Sequence, residues 1–482
     1  MIDHPPAPNS LVAARSRRRR AGSLSLSLLA GACAAIVMAP QGKASPTSVP
    51  VLLEHVRVFD GTDAPEQENM SVLVEGQTIA AIGHSGTLKA PKGAKRVNLS
   101  GKTLIPGLIS NHSHVGVVAG TSVGSENFTA PVIKAALDQY QRYGVTTVTA
   151  LGLTKSPLFD DLRKAQHANT EGADLFGVDQ GIGVPGGMPP EGMVKVGKDQ
   201  IFRPSTPAEA RQAVDTMVSE GTDLVKLWVD DFKNGVQSAK PLPVMKPEVW
   251  QAVMAEAHAK NVRVAVHIHD LAYAKKLVAA GADIIAHGVR DEPVDDELIG
   301  LLKSHNVWYV PTISLDEATY LFAEQPDLLN DPVLKAGLSE DLTRQFSDAA
   351  WREKTVKSPM DAASHKAVAM NQQNLLALYK AGVNIGFGTD SGAAPVRIPG
   401  FAEHRELRLL VDAGLTPLQA LRLATSQAAS LLKLSDRGVI APGKRADFVI
   451  LDADPAQNIA AVDQIAAVWR GGVRATGPLV PR

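Results

Sequence analysis

Eight short apolar runs recur along the middle of the chain, each followed by a stretch of helical periodicity, and this alternation restricts the fold more than any other feature. They read TLIPGLISNHSH, VTTVTALG, ADLFGVDQ, DLVKLWVDD, VRVAVHIHD, ADIIAHGV, VWYVPTIS and VNIGFGTDSG. The runs are too continuously apolar for a half-exposed antiparallel sheet, so they predict strands covered on both faces. Eight β/α units within residues 106–435 match an α/β fold, a (β/α)8 TIM-like barrel with modest insertions. A doubly wound open sheet is the rival, but no GxGxxG follows the first strand.

The flanks read differently. Residues 45–105 hold the alternating runs VLLEHVRVF, SVLVEGQTIAAIG and RVNLSGKTLIP, and residues 436–482 hold RADFVILDA and IAAVWRGGVRA. Alternation broken by Gly, Asp and Asn turns is the pattern of an antiparallel sheet. Neither end alone has enough strands to bury a face, so the two predict a small composite β-sandwich domain formed from both chain ends.

Residues 1–44 predict an export signal. RSRRRR at 15–20 is followed by GSLSLSLLAGACAAIVMA, short for a membrane span, and then by the small-residue stretch PQGKASPTSVP, suited to cleavage after Ala44. A periplasmic or secreted protein with no stable membrane insertion is expected. The alternatives are an uncleaved anchor, or a lipid anchor through Cys33 at the end of the imperfect lipobox AGAC. Cys33 is the sole cysteine, so neither an intrachain disulfide nor a thiolate metal site is available. With 49 Lys plus Arg against 50 Asp plus Glu, the net charge of −1 gives no basis for nucleic-acid binding. Cleavage removes six positive charges and one negative, leaving −6. The expected partner is a small-molecule substrate, with a homo-oligomer left open.

In such barrels the functional residues lie at the C-terminal ends of the strands. Here His112 and His114 end strand one, Lys226 lies on strand four, His267 and His269 end strand five, His287 ends strand six and Asp390 strand eight, so that five of the 13 histidines fall at three strand ends. Residues i and i+2 of a strand share a face, which lets His112 and His114 grip one metal ion. The set predicts metal binding, whereas His258, His305 and His365 read as ordinary structural histidines. Lys226 sits in an apolar strand, where burial lowers its pKa and frees an amine able to take up carbon dioxide as a carbamate. It could instead pair with Asp230 or Asp231.

These residues resemble a known family. PGLISNHSH, the lysine of DLVKLWVDD, VHIHD, IIAHG, GTDSG and AGLTPLQALRLATSQAASLL followed by GKRADFVIL are similar to the amidohydrolase superfamily, in its imidazolonepropionase-like and prolidase-like (Xaa-Pro dipeptidase-like) branch. The resemblance covers nearly everything after the signal segment. It implies two divalent metal ions, usually zinc: His112, His114 and Asp390 hold the more buried one, His267 and His287 the outer one, and a carboxylated Lys226 bridges both. Ser110 and Asn111 depart from the family, which has Asp after GLI. The implied activity is hydrolysis of a carbon–nitrogen amide bond by metal-activated water, with Asp390 as the base and His287 acting through the outer ion that polarises the carbonyl. Dipeptides or N-acyl amino acids come first as substrates. The alternatives are a cyclic amide or imidazolone at a mononuclear centre, and a catalytically silent binding protein on the same scaffold.

Substrate contacts are expected from His269, Arg290 and Tyr309, with Thr312 close by. Arg290 either clamps a substrate carboxylate or pairs with Asp291 or Asp295. The Gly/Pro-rich stretch 178–193 reads as a mobile lid or a long surface loop. LTPLQALRLATSQAASLL predicts a structural amphipathic helix capped by Thr416 with Gln419.

Overall fold

The computed structural model describes residues 49–191, 195–231 and 241–481. The export-signal segment and Cys33 lie outside the described residues. The eight apolar runs supply eight strands: β1 (Leu108–Ser113), β2 (Val145–Leu151), β3 (Asp174–Val178), β4 (Val225–Trp228), β5 (Val264–His267), β6 (Ile284–Ala286), β7 (Trp308–Val310) and β8 (Asn384–Ile385). Neighbours pair in parallel and in sequence order, β1 to β3 in one sheet and β4 to β8 in another. Backbone bonds also run between the two sheets. Asn111 N–H donates to the Phe387 carbonyl (2.6 Å) and His114 N–H to that of Ser391 (2.7 Å), while Ile182 N–H donates to Lys226 (2.8 Å) and Trp228 N–H to Ile182 (2.9 Å).

Each strand is followed by a helix: α1 (Ala130–Arg142), α2 (Leu158–Ala168), α3 (Pro207–Glu220), α4 (Pro247–Ala259), α5 (Leu271–Ala279), α6 (Asp296–Ser304), α7 (Pro359–Lys380) and α8 (Phe401–Asp412). Local chemistry sets their starts. Thr206, Asp270 and Asp295 accept the backbone N–H of Glu209, Tyr273 and Leu298 as N-caps. Several short helical turns precede α7. The helix expected after Thr416 begins with its capping box, but it passes through a π turn at Leu423–Gln427 before resuming at Ala428–Leu431. There the Thr425 hydroxyl donates to the Leu421 carbonyl (2.8 Å), a back-bond of the kind that bends helices.

Both chain ends contribute to one hydrogen-bonded sheet. Thr103–Pro106 pairs antiparallel with Phe448–Leu451, which links the early strands to Ile465–Arg470 and Val473–Thr476. This sheet buries its own apolar cluster, including Leu53, Val72, Leu104, Phe448 and Trp469, apart from the larger cluster around the parallel strands. Among the described residues, no helix is long and apolar enough to cross a membrane.

Asp174, at the start of β3, ties the C-terminal segment to the parallel sheet. It accepts from Arg437 (2.7 Å), Arg470 (3.2 Å) and His167 (2.8 Å). Burial alone would raise its pKa, but these partners outweigh that and hold the carboxyl at about 2, against an ordinary 3.8. Its stabilisation is therefore fully present above pH 3.8 and is lost as the pH falls towards 2. Asp174→Ala leaves two buried guanidinium groups without this partner and should cost about 3–5 kcal/mol in urea unfolding at pH 7. A loss below about 1 kcal/mol, typical of an exposed pair, would contradict the buried-network account.

Candidate metal centre

The strand ends bring His112, His114, Lys226, His267, His269, His287 and Asp390 onto the wall of one cavity of about 600 Å³, together with Arg290 and Arg397. His112 and His114 lie on or just past β1, Lys226 within β4, and His267 closes β5. His287 and Asp390 follow β6 and β8 with φ of +113° and +59°. Such angles are costly for residues with a Cβ and persist where the surroundings fix them, a pattern that concentrates at functional sites.

The donor atoms face one another. Asp390 Oδ1 lies 3.1 Å from His112 Nε2 and 3.0 Å from His114 Nε2. His114 Nδ1 is 3.1 Å from the Gly152 carbonyl, which can only accept, so this nitrogen carries the proton. In the neutral ring, Nε2 is then a lone pair aimed at a carboxylate oxygen, an arrangement that calls for a cation between them. Burial, assisted by the charge of Lys226, lowers the pKa of His112 to about 3. Burial likewise holds His267, His269 and His287 well below the usual range, so these rings are neutral and available as ligands. Burial would raise Asp390, but the charge of the Arg397 guanidinium opposes this, and the carboxyl is held well below its ordinary value and stays ionised.

Lys226 is fully buried, and its Nζ makes no hydrogen bond. Neither oxygen of Asp230 takes it. Burial pulls the amine down to about 7, against the opposing charges of Asp390 and Asp230, so near neutral pH much of it is uncharged. The donor set thus fits divalent metal: neutral imidazoles, an ionised carboxylate and an orphaned buried amine converge on one cavity.

The structure also redraws parts of the expected site. Among the described residues, two buried trios have converging ligand atoms: His112, His114 and Asp390 form one, while Asp230, His267 and His269 form the other. His267 Nε2 lies 2.8 Å from His269 Nε2, so His269, expected to contact substrate or to hydrogen-bond a ligand, sits within the ligand cluster. The His287 ring is 4.5 Å from that of His112 and 4.6 Å from that of His267, centroid to centroid, and its Nδ1 is 2.9 Å from the Thr312 hydroxyl.

Tyr309 is corrected as a substrate contact. Strand geometry turns it into the apolar core, where its hydroxyl accepts from Val289 N–H (2.7 Å) and it does not line the cavity. Arg290 lines the cavity but pairs with Asp316 (2.9 Å) rather than with Asp291 or Asp295. Of the stretch expected as a mobile lid or a long surface loop, residues 178–184 and 187–189 are mostly buried and packed inward. Val184 N–H donates to Met188, Arg203 donates to the Pro189 carbonyl (2.6 Å), and Met188 and Pro189 form cavity wall. His258, His305 and His365 stand away from the cavity in local hydrogen bonds.

Sequence reasoning missed Arg397, whose guanidinium binds Asp390 Oδ2, and Glu403. Glu403 is buried and accepts from the hydroxyls of Ser110 (3.1 Å), Thr389 (2.7 Å) and Ser391 (2.8 Å). Arg397 was accessible to the strand-end rule, seven residues after Asp390 in the same loop. Glu403 carried no such signal. The departures at Ser110 and Asn111 have structural uses: Ser110 binds Glu403, and Asn111 ties β1 to Phe387 N–H (3.1 Å) and to the Ala428 carbonyl (3.0 Å).

Comparison with known proteins agrees with this chemistry. The amidohydrolase family model matches residues 103–475. A 5-methylthioadenosine/S-adenosylhomocysteine deaminase of Bacillus cytotoxicus is 24% identical over 80% of this chain and 81% of its own. An imidazolonepropionase of Streptomyces griseus is 24% identical over 86% and 94%. The structure of a candidate prolidase from Bifidobacterium longum is 25% identical, with a TM-score of 0.70 over 90% of this chain and 95% of that one, and implies a TIM-like barrel fold. The chain therefore belongs to the amidohydrolase family, metal-dependent hydrolases acting on carbon–nitrogen bonds, and its likeness includes that family's prolidase-like members.

Proposed function

We propose that the protein hydrolyses the amide bond of a dipeptide or N-acyl amino acid at a binuclear zinc centre. The observation that carries this reading is Lys226: a buried amine without a hydrogen-bond partner on the same cavity wall as two trios of ligand atoms. His112, His114 and Asp390 would hold one ion and His267 and His287 the other, with Lys226, as a carbamate, supplying a further ligand. The backbone bonds between the two parallel sheets support a closed (β/α)8 barrel as the frame. The sheet shared by both ends supports a composite β domain from residues 45–105 and 436–482. Export of the chain, directed by residues 1–44, belongs to the same proposal.

When bound, the metal supplies Lewis acidity, which lowers the pKa of a water molecule and polarises a carbonyl. The chain's own residues do the rest. Asp390 is ionised, with Oδ2 held by Arg397 and Oδ1 turned to the two histidines, so Oδ1 is the atom placed to take a proton and return it to the leaving nitrogen. His287, its ring close to those of His112 and His267, would help hold the outer ion, which would supply Lewis acidity to the scissile carbonyl. Leu153, Met188, Trp228 and Leu315 give the cavity an apolar wall that limits water and receives an apolar side chain.

A second reading, a cyclic amide or imidazolone hydrolase with one ion, is favoured by the direct His267–His269 contact, which satisfies two nitrogens of the outer cluster without metal. Elemental analysis separates the two. The binuclear reading expects about two zinc ions per chain, with activity abolished by chelation and restored by zinc, and a substrate screen led by dipeptides and N-acyl amino acids. One ion per fully active chain contradicts it.

Asp390→Asn keeps the shape but not the base. Turnover should fall by about 10² to 10⁴ from lost proton transfer alone. Near-normal turnover in a metal-loaded variant would rule out Asp390 as the base.

A further inference from the structure

Among the described residues the cavity wall carries four cationic side chains, and of these Arg397 is the one placed to read a substrate's charge beside the reacting centre. Lys226 belongs to the ligand set. Arg290 is engaged twice, through Nε to Asp316 (2.9 Å) and through Nη1 to the Gly288 carbonyl (3.3 Å). Lys366 is exposed on α7, at the rim. Arg397 remains. Its backbone is pinned in a tight loop, with its N–H donating to the Ala394 carbonyl (3.0 Å) and its carbonyl accepting from Gly392 (2.9 Å). Its Nη1 bonds Asp390 Oδ2, yet its Nε is buried without a hydrogen-bond partner.

Arg397 also stands where two cavities meet. A second one, of about 350 Å³, shares His114, Ala394, Pro395 and Arg397 with the first. The guanidinium therefore borders both cavities, whereas Arg290 lines the first alone. It carries several donors in a rigid fork, and one bond to Asp390 leaves donors over. A planar fork of this kind matches a carboxylate with two parallel bonds. Because Arg397 touches the same carboxylate that faces His112 and His114, any anion it holds lies next to the bond being cleaved.

We propose that Arg397 is the specificity-determining residue, pairing with a carboxylate next to the scissile amide nitrogen, so that the substrates are amides of α-amino acids bearing a free carboxylate. This rests on the reading of the site as a dipeptide or N-acyl amino acid hydrolase, and moves the carboxylate clamp from Arg290 to Arg397. Uncharged and cyclic amides lack the group that Arg397 reads.

The test compares kcat/KM for N-acetyl amino acids and for the same compounds as C-terminal primary amides, using the zinc-loaded full chain. The wild type should prefer the free acids by about 10- to 100-fold, the range expected for charge-assisted hydrogen bonds. Arg397→Met should collapse that ratio towards one, mainly through KM of the acid. Arg397→Lys, which keeps the charge but not the fork, should fall between. A ratio equal to the wild type's in Arg397→Met overturns the proposal, as does its loss in Arg290→Met instead. If Arg397→Met does not fold, a wild-type ratio in Arg397→Lys overturns it. A wild type that cleaves acids and primary amides equally defeats the role of Arg397 but leaves the amide-hydrolase reading standing. A wild type that cleaves only cyclic amides defeats both.

Discussion

A lysine amine enclosed on all sides with no hydrogen-bond partner is the constraint on which the rest of the site depends. An ammonium there would be strongly disfavoured, so burial moves Lys226 towards its neutral form. The same enclosure keeps the His112, His267, His269 and His287 imidazoles neutral, while Asp390 remains an ionised carboxylate. A set of neutral nitrogens and one anion is poorly satisfied by itself and well satisfied by divalent cations. Structural burial and metal affinity are thus two consequences of one arrangement.

The frame is built to hold that arrangement against its own strain. Glu403 on α8 gathers hydroxyls from β1 and from the segment beyond β8, fixing the chain on either side of His112, His114 and Asp390. Gly388 allows the two segments to approach this closely, since a Cβ there would lie 2.7 Å from the His112 backbone nitrogen and Cβ. A neutral hydroxyl network around a buried carboxylate is an alternative to an ion pair, and it leaves Arg397 free of Glu403 and directed at Asp390.

The strand-end pattern made much of this legible in advance. His112 and His114 announce themselves by spacing, and Lys226 by its polar amine in an apolar run. Each needed only local sequence and the rule that strand termini carry chemistry. Tyr309 misled because adjacent positions on a strand face opposite sides, and a run of three residues does not reveal which side faces the cavity. Arg290 was read against nearby acids, whereas its partner Asp316 arrives from the next β/α connection. Glu403 and the inward packing of 178–190 depend on contacts between residues far apart in sequence, which local periodicity does not encode. The export signal and Cys33 rest on sequence alone.

The central claim is that Lys226 serves the metal centre and not merely the core. The direct measurement is the metal content of folded Lys226→Ala protein, read together with hydrolysis, with and without an added short carboxylic acid. Bridging by Lys226 predicts that ions and activity fall together and that the small carboxylate, seated where the bridge was, restores part of both. Two ions retained at full activity would contradict it and leave Lys226 as a structural residue.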